Sequence, residues 1–366
     1  MKLFYLTILI IWILTASIAA QNVGILPPPK VFDKPEKMLF KGVIFHNFFE
    51  MTLTWDGDKL SGSYFLVKSG NASARTVRGK IEADGKIILL ELNPTNKTIS
   101  EFRGKIIENS DDLGLEFEGD WKSGSREKSQ DFYASGLIIG LTGNRRIETK
   151  YIKEKSVRRR FEIDASYPQI VGRNTPGARG FNLLAKQSVI EPLAEFRKMM
   201  QHQTAEDIKH LRDEGNTFTA SPEIKFADDH LISVVYFYSE NSNGMPRSFD
   251  YIGTLNYDLE KNRELKLADL FKPGAKYLET ISAYCLKILQ SRTPENGQKL
   301  ADSNGVISVK ADAENYNWNL MKKGLLISFE EYEIVPISAG TQSVLIPYSE
   351  FKNIAKPNGV LAKMMK

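Results

Sequence analysis

The chain has 366 residues, 42% of them hydrophobic and 26% charged, with a formal net charge of +4. This is the balance of an ordinary globular protein long enough for two domains. Its lone cysteine, Cys285, excludes a disulfide-stapled scaffold, so core packing alone must stabilise the fold.

Taken in chain order, Lys2 precedes an apolar run from Leu3 to Leu14, then the small stretch Thr15 to Ala20 and polar Gln21. A short basic region, an apolar core and a small-residue cleavage zone read as a secretory signal peptide over 1–20. The alternative is an uncleaved anchor, for which the apolar run is short. No cysteine stands directly after it, so a cysteine-lipidated N-terminus is not expected. No later segment approaches 18 continuous apolar residues, so no span is expected after cleavage. Residues 21–37 read as a linker.

Residues 38–135 read as an all-β domain. Short alternating runs such as "FFEMTLTW" and "EFRGKIIEN" are separated by Asp56-Gly57-Asp58 and Asp84-Gly85, which signal antiparallel hairpins. The expected fold is a small antiparallel barrel or sandwich. Gly62, Gly79, Gly104 and Gly119 fall inside strand-like runs and suggest bulges or strong curvature. No polar constellation in this region reads as a site. Residues 136–160 read as a basic connector. Within it, 145–160 hold eight basic and two acidic residues. Contact with anionic headgroups or wall polymers is one reading, and a solvated connector or charged edge strand is the other.

Residues 161–366 read as an α+β domain, giving an α+β class for the chain as a whole. "RRFEIDASYPQIVG" suggests a strand ending at Pro168. Phe181, Ala185, Val189, Leu193, Phe196 and Met200 then mark one helix face, with Pro192 expected to kink or divide the helix. "LISVVYFY" is apolar on both alternate faces and reads as a central strand. Leu278, Ile281, Cys285 and Ile288 recur at helical spacing, making Cys285 a small buried hydrophobe. A hairpin turning at Lys323-Gly324 is expected to bury Trp318, Leu325, Ile327 and Phe329.

The stretches "FEIDASYPQI", "ISVVYFYSENSNG…TLNYDLEKNRELKLADLF" and "WNLMKKGLLISFEEYEIVPISAGTQSVLIPYSEF" resemble the PdaC/RsiV-like family of bacterial envelope domains over about 160–355. The closing stretch is the most recognisable part, with Tyr332, Pro336, Ala339, Gly340, Ile346, Pro347 and Tyr348 where the family carries similar residues. The resemblance implies export to the periplasm or beyond, and recognition of a lysozyme-like hydrolase or a cell-wall glycan. The chain departs from one namesake in lacking a deacetylase domain, and from the other in lacking a cytoplasmic anti-sigma segment. Where many members carry a Gly-Gly-Ala-His-like element, this chain has Asn243-Gly244-Met245-Pro246.

No nucleophile elbow, phosphate-cradling loop or Cys-x-x-Cys is present. His202 and His210, eight residues apart, could in principle share a metal from one helix face, although a polar helix surface is the commoner outcome. Catalytic residues, metal and cofactors are therefore expected to be none, and nucleic acid is not an expected partner. Candidate binding residues lie in two connections. Asn241, Asn243, Met245 and Arg247 follow the central strand and supply donors and an adaptable apolar contact. Tyr332, Ser338 and Thr341 belong to the closing stretch, where Pro336 to Thr341 reads as a packed turn or a ligand-contacting loop. The expected function is a non-enzymatic envelope binding module. The rivals are a wall-modifying hydrolase or deacetylase and a structural envelope component.

Overall fold

The computed structural model describes residues 36–365 apart from 70–72, 83, 109–113, 125–127, 210–214, 243–246, 293–316 and 331–340. The expected signal peptide and most of the linker lie outside the described residues.

Eight antiparallel strands close the N-terminal barrel: β1 (Glu36–Ile44), β2 (Asn47–Asp56), β3 (Lys59–Leu66), β4 (Arg75–Ile81), β5 (Ile87–Leu92), β6 (Thr98–Glu108), β7 (Leu115–Ser123) and β8 (Gln130–Ile139). The period-2 alternation sends Phe40, Phe49, Tyr64, Phe102, Phe117 and Phe132 inward, where all are buried. Their rings meet edge to face, with Phe117–Phe132 centroids at 4.8 Å and Tyr64–Phe102 at 5.0 Å. Of the glycines singled out, Gly79 shows why a side chain is missing. A Cβ there would collide with the Ile88 carbonyl of β5, so the close strand approach needed for closure requires glycine.

The C-terminal part begins earlier than the sequence boundary implied. Residues 146–156 are not a connector; they form β9 (Arg146–Ser156), which pairs along its whole length with β10 (Phe161–Val171). Only residues 140–145 join the barrel to the second sheet. Two basic side chains of β9 have cross-strand partners, Lys153 3.1 Å from Asp164 and Lys155 2.7 Å from Glu162, and Arg146 and Lys150 pair with Glu148 of the same strand. Charge on an edge strand also discourages pairing with another chain.

After β10 come α1 (Pro176–His202), α2 (Ala205–Lys209), β11 (Asn216–Ala227), β12 (Leu231–Asn241), β13 (Phe249–Asp258) and β14 (Arg263–Glu264). The sheet order is β14-β13-β12-β11-β10-β9, so β12 is central, as its two apolar faces require. Then follow α3 (Tyr277–Ser291), β15 (Asn317–Leu320), β16 (Gly324–Phe329), β17 (Gln342–Pro347) and α4 (Val360–Met364). β15, β16 and β17 form a separate antiparallel sheet. The large sheet is therefore a central layer, with α1 on one face and the small sheet on the other. Phe181, Ala185, Val189, Leu193, Phe196 and Met200 all bury against it. Trp318, Leu325, Ile327, Phe329 and Cys285 bury in the second core. Burial pushes the Cys285 thiol up to about 12. Among the described residues no helix is long and apolar enough to cross a membrane.

Two proline expectations are corrected. β10 runs three residues past Pro168, because its pairing with β11 ends at Ala165 and leaves that side of the strand free. The Ile170 N–H, on the same side as the proline nitrogen, donates to Asn182 Oδ1 at 2.7 Å, and Asn182 Nδ2 returns a bond to Ile170 O at 2.9 Å. Proline thus sits where no strand requires a donor. Nor does Pro192 divide α1, which is a single 27-residue helix. The missing amide of Pro192 would orphan the Ser188 carbonyl, but the Tyr238 hydroxyl of β12 donates to that oxygen at 2.7 Å. Tyr238→Phe should therefore destabilise by about 1–2 kcal/mol, the usual result of orphaning a buried acceptor. In a Pro192→Ala background the restored amide should shrink that loss, and strict additivity in urea denaturation would refute the compensation.

The barrel and the second sheet meet along one wall. Lys41 Nζ donates to Pro222 O at 3.0 Å, and Tyr151 OH to the buried Glu50 Oε1 at 2.7 Å. Lower down, Lys37 Nζ donates to Arg145 O at 3.1 Å. These contacts run in step along β1 and β9, so both strands rise toward the same end of the molecule.

Candidate recognition site

The site is built on the end of the large sheet where β12 stops and β13 starts. Asn241 closes β12 and pairs with Thr217; Arg247 is exposed just before β13. Asn243 and Met245 between them lie outside the described residues, as do Tyr332 and Ser338. Thr341 is exposed immediately before β17.

Tertiary structure brings the two separate connections onto one frame. The outer edge of β13 is unpaired above Tyr257, and the Ile252 N–H there donates to Glu330 Oε1 at 2.9 Å. Asn317 Nδ2 donates to the same oxygen at 3.3 Å. Arg292 donates to Gln342 Oε1 at 3.2 Å and to Ser343 O at 2.7 Å. Arg292 and Asn317 bracket residues 293–316, and Glu330 and Gln342 bracket the closing loop. Asn317, which ends one segment, and Glu330, which begins the other, therefore stand at the edge of β13, four residues from the end of the 242–248 connection.

An aromatic column on the α1 face of the large sheet reaches the surface at the same end. Tyr236 stacks on Tyr238 at 6.0 Å, Tyr238 on Tyr251 at 4.6 Å, and Phe249 packs on Tyr251 at 5.5 Å. The inner end is held by the Tyr236 hydroxyl, which donates to Ala185 O at 3.2 Å. The outer end is open, since Phe249 is 58% exposed. Burial pushes the Tyr251 hydroxyl up to about 12, with the charges of Glu240 and Glu330 adding to the effect. The column thus presents an apolar ring face flanked by carboxylates. Such a surface can stack on the apolar face of a sugar and accept its hydroxyl hydrogens, or seat an apolar group of a basic protein. Asn241 and Arg247, at the ends of the β12–β13 connection, add donors beside it.

Sequence reasoning missed Phe249, Glu330 and Arg292 as site residues, because their proximity depends on pairings between strands far apart in the chain. It also missed a polar cluster in the barrel. Glu91 of β5 is fully buried, and it accepts from Tyr64 OH at 2.7 Å, from Ser100 Oγ and from Arg75 Nη1 at 3.2 Å. The available signal was a carboxylate at an inward position of "IILLEL". The described histidines of the C-terminal part have structural partners. His202 Nδ1 lies 2.7 Å from Lys198 O, His230 pairs with Glu260 at 2.8 Å, and Asp228 accepts from the amides of His230 and Leu231. His210 lies outside the described residues.

Comparison with known proteins adds a family for part of the chain. Residues 268–349 match the family described as "Protein of unknown function (DUF3298)". This segment carries α3, the small sheet and the frame residues Arg292, Asn317, Glu330 and Gln342. A DUF3298 family member from Bacteroides fragilis is similar in structure over 61% of this chain and 98% of its own, at 18% identity and a TM-score of 0.45. A DUF3298 family protein from Pseudomonas aeruginosa is similar over 60% and 98%, at 14% identity and a TM-score of 0.43. No curated protein matches the chain.

Proposed function

We propose that this is an exported, non-enzymatic envelope protein that recognises a wall-associated partner, a lysozyme-like hydrolase or a glycan, with the loop-bearing end of its C-terminal domain. The observation that carries this reading is the aromatic column ending at exposed Phe249 on the α1 face of the sheet, at the end where the β12–β13 connection stands and Glu330 meets the edge of β13. A rigid central strand beneath variable connections is the usual arrangement of a binding surface. The resemblance of the closing stretch to PdaC/RsiV-like domains, and the signal-like first twenty residues, support export and an envelope role.

The test is calorimetry against a lysozyme and against soluble peptidoglycan fragments. One of the two should bind, and Phe249→Ala and Arg247→Ala should each weaken that binding without lowering the melting temperature. Loss of an interface aromatic or arginine typically accounts for about 1–2 kcal/mol or more, a tenfold or greater change in Kd. Unchanged affinity in both variants would remove this surface from consideration. Released acetate or soluble fragments on incubation with peptidoglycan, abolished by one carboxylate substitution, would instead establish the hydrolase or deacetylase alternative.

A further inference from the structure

The β1–β2 hairpin breaks two rules of its own fold. Ile44 pairs with Asn47, so Phe45 and His46 form a two-residue turn. Phe45 holds φ at 57°, a conformation in which hairpins favour glycine or asparagine and a bulky ring is strained. The ring is also 59% exposed, as is 57% of Phe48 one residue past the turn. Phe48 lies in register with Val43, and Val43 with Tyr133, which is 44% exposed, so the apolar surface continues across three strands. The Phe45 N–H donates to Asp131 O at 3.2 Å and its ring packs on His46 at 3.9 Å, yet Phe45 and Phe48 stay more than half exposed, and an outlier of this kind points to a role outside the fold.

Charge along the barrel axis supplies a second, independent observation. The alternating strand directions place the β1–β2, β3–β4, β5–β6 and β7–β8 turns at one end. Among the described residues that rim exposes Lys68, Lys97, Lys122 and Lys128, against the paired acids Asp120 and Asp131 and the half-buried Glu101 opposite Lys122. Arg75, also on that rim, reaches Glu91 inside the barrel. The opposite rim carries Glu36, Asp56, Asp58, Glu82, Asp84 and Glu108, with Lys37, Lys59, Lys80 and Lys86 among them. The exposed phenylalanines therefore stand at the net basic end of the barrel.

We infer that this end docks on an anionic lipid surface, with Phe45 and Phe48 entering the interface and the lysine ring meeting the headgroups. An apolar tip flanked by basic residues is the combination that interfacial binding uses: apolar burial supplies depth and the lysines supply attraction to anionic lipid. A soluble anionic polymer would engage the lysines but would give the strained rings nothing to bury into.

The experiment places an environment-sensitive dye on Asn47→Cys in the full chain; Cys285 is fully buried and stays unlabelled. Vesicles of phosphatidylcholine containing phosphatidylglycerol should shift the dye emission to the blue, weakly so at high salt, and vesicles of phosphatidylcholine alone should not. Phe45→Gly with Phe48→Ser should lower the vesicle partition coefficient by about tenfold or more, as expected for withdrawing two rings from an apolar interface. The same variant should melt no lower than the parent, because glycine adopts the positive φ without strain. No blue shift, an equal shift on both vesicles, or a shift unaffected by the substitutions would overturn the inference. Salt-sensitive co-sedimentation without a dye shift would do so too, since it reports contact with anionic groups but no insertion.

Discussion

Replacing Phe329 by alanine should destabilise the C-terminal domain by about 3–5 kcal/mol, the range for emptying a core aromatic site. Phe329 is 1% exposed at the end of β16, and its core includes the fully buried Ile327, Val344, Ile346 and Cys285. These neighbours come from two strands and a helix that are already close-packed, so little collapse into the vacated volume is available. The consequence should reach the recognition surface, because the next residue, Glu330, anchors the edge of β13 through Ile252. Urea denaturation should therefore show a lower midpoint, and partner binding should fall in parallel. A loss under about 1 kcal/mol would mean that the strand does not occupy the core as described.

Asn256→Ala should have a comparable effect for a different reason. The two sheets are joined by a buried polar network rather than by apolar contact alone. Ser233 Oγ donates to Asn256 Oδ1 at 2.7 Å and accepts from Asn319 Nδ2 at 2.9 Å and Leu320 N at 3.0 Å. Asn256 Nδ2 completes the network by donating to Trp318 O at 2.7 Å. Alanine removes both halves of the Asn256 amide, leaving the Ser233 hydroxyl without its acceptor and the Trp318 carbonyl without its donor. Each orphaned buried group costs about 1–3 kcal/mol, so the sum should lie near 3–5 kcal/mol with the lost packing included. Ser239→Ala, on the less buried half of neighbouring β12, is the control and should stay within about 0.5 kcal/mol. Equal, small effects at both positions would show that the network does not hold the sheets together.

Residue order alone was enough to determine the elements governed by local period. The Phe181 to Met200 stripe, the two-sided apolar run of β12, the Asp-Gly hairpins of the barrel and the buried face of the closing hairpin all follow from spacings of 3.6 or 2. A side chain's face is set by its own chain position. Wherever an outcome depended on a partner distant in the chain, only tertiary structure decided it. β9 read as a basic connector because its ion pairs, Lys153 with Asp164 and Lys155 with Glu162, appear only once the strands align. Pro192 read as a kink or a division, and the division does not occur because the Tyr238 hydroxyl, 46 residues further along, replaces its hydrogen bond. The recognition surface follows the same logic. Asn241, Arg247 and Thr341 could be picked out as loop residues, but the frame that brings their loops together rests on Ile252 meeting Glu330 and Arg292 meeting Gln342 and Ser343. Period is a property of the local chain, whereas proximity between distant residues is a property of sheet pairing and packing, and the site depends on proximity.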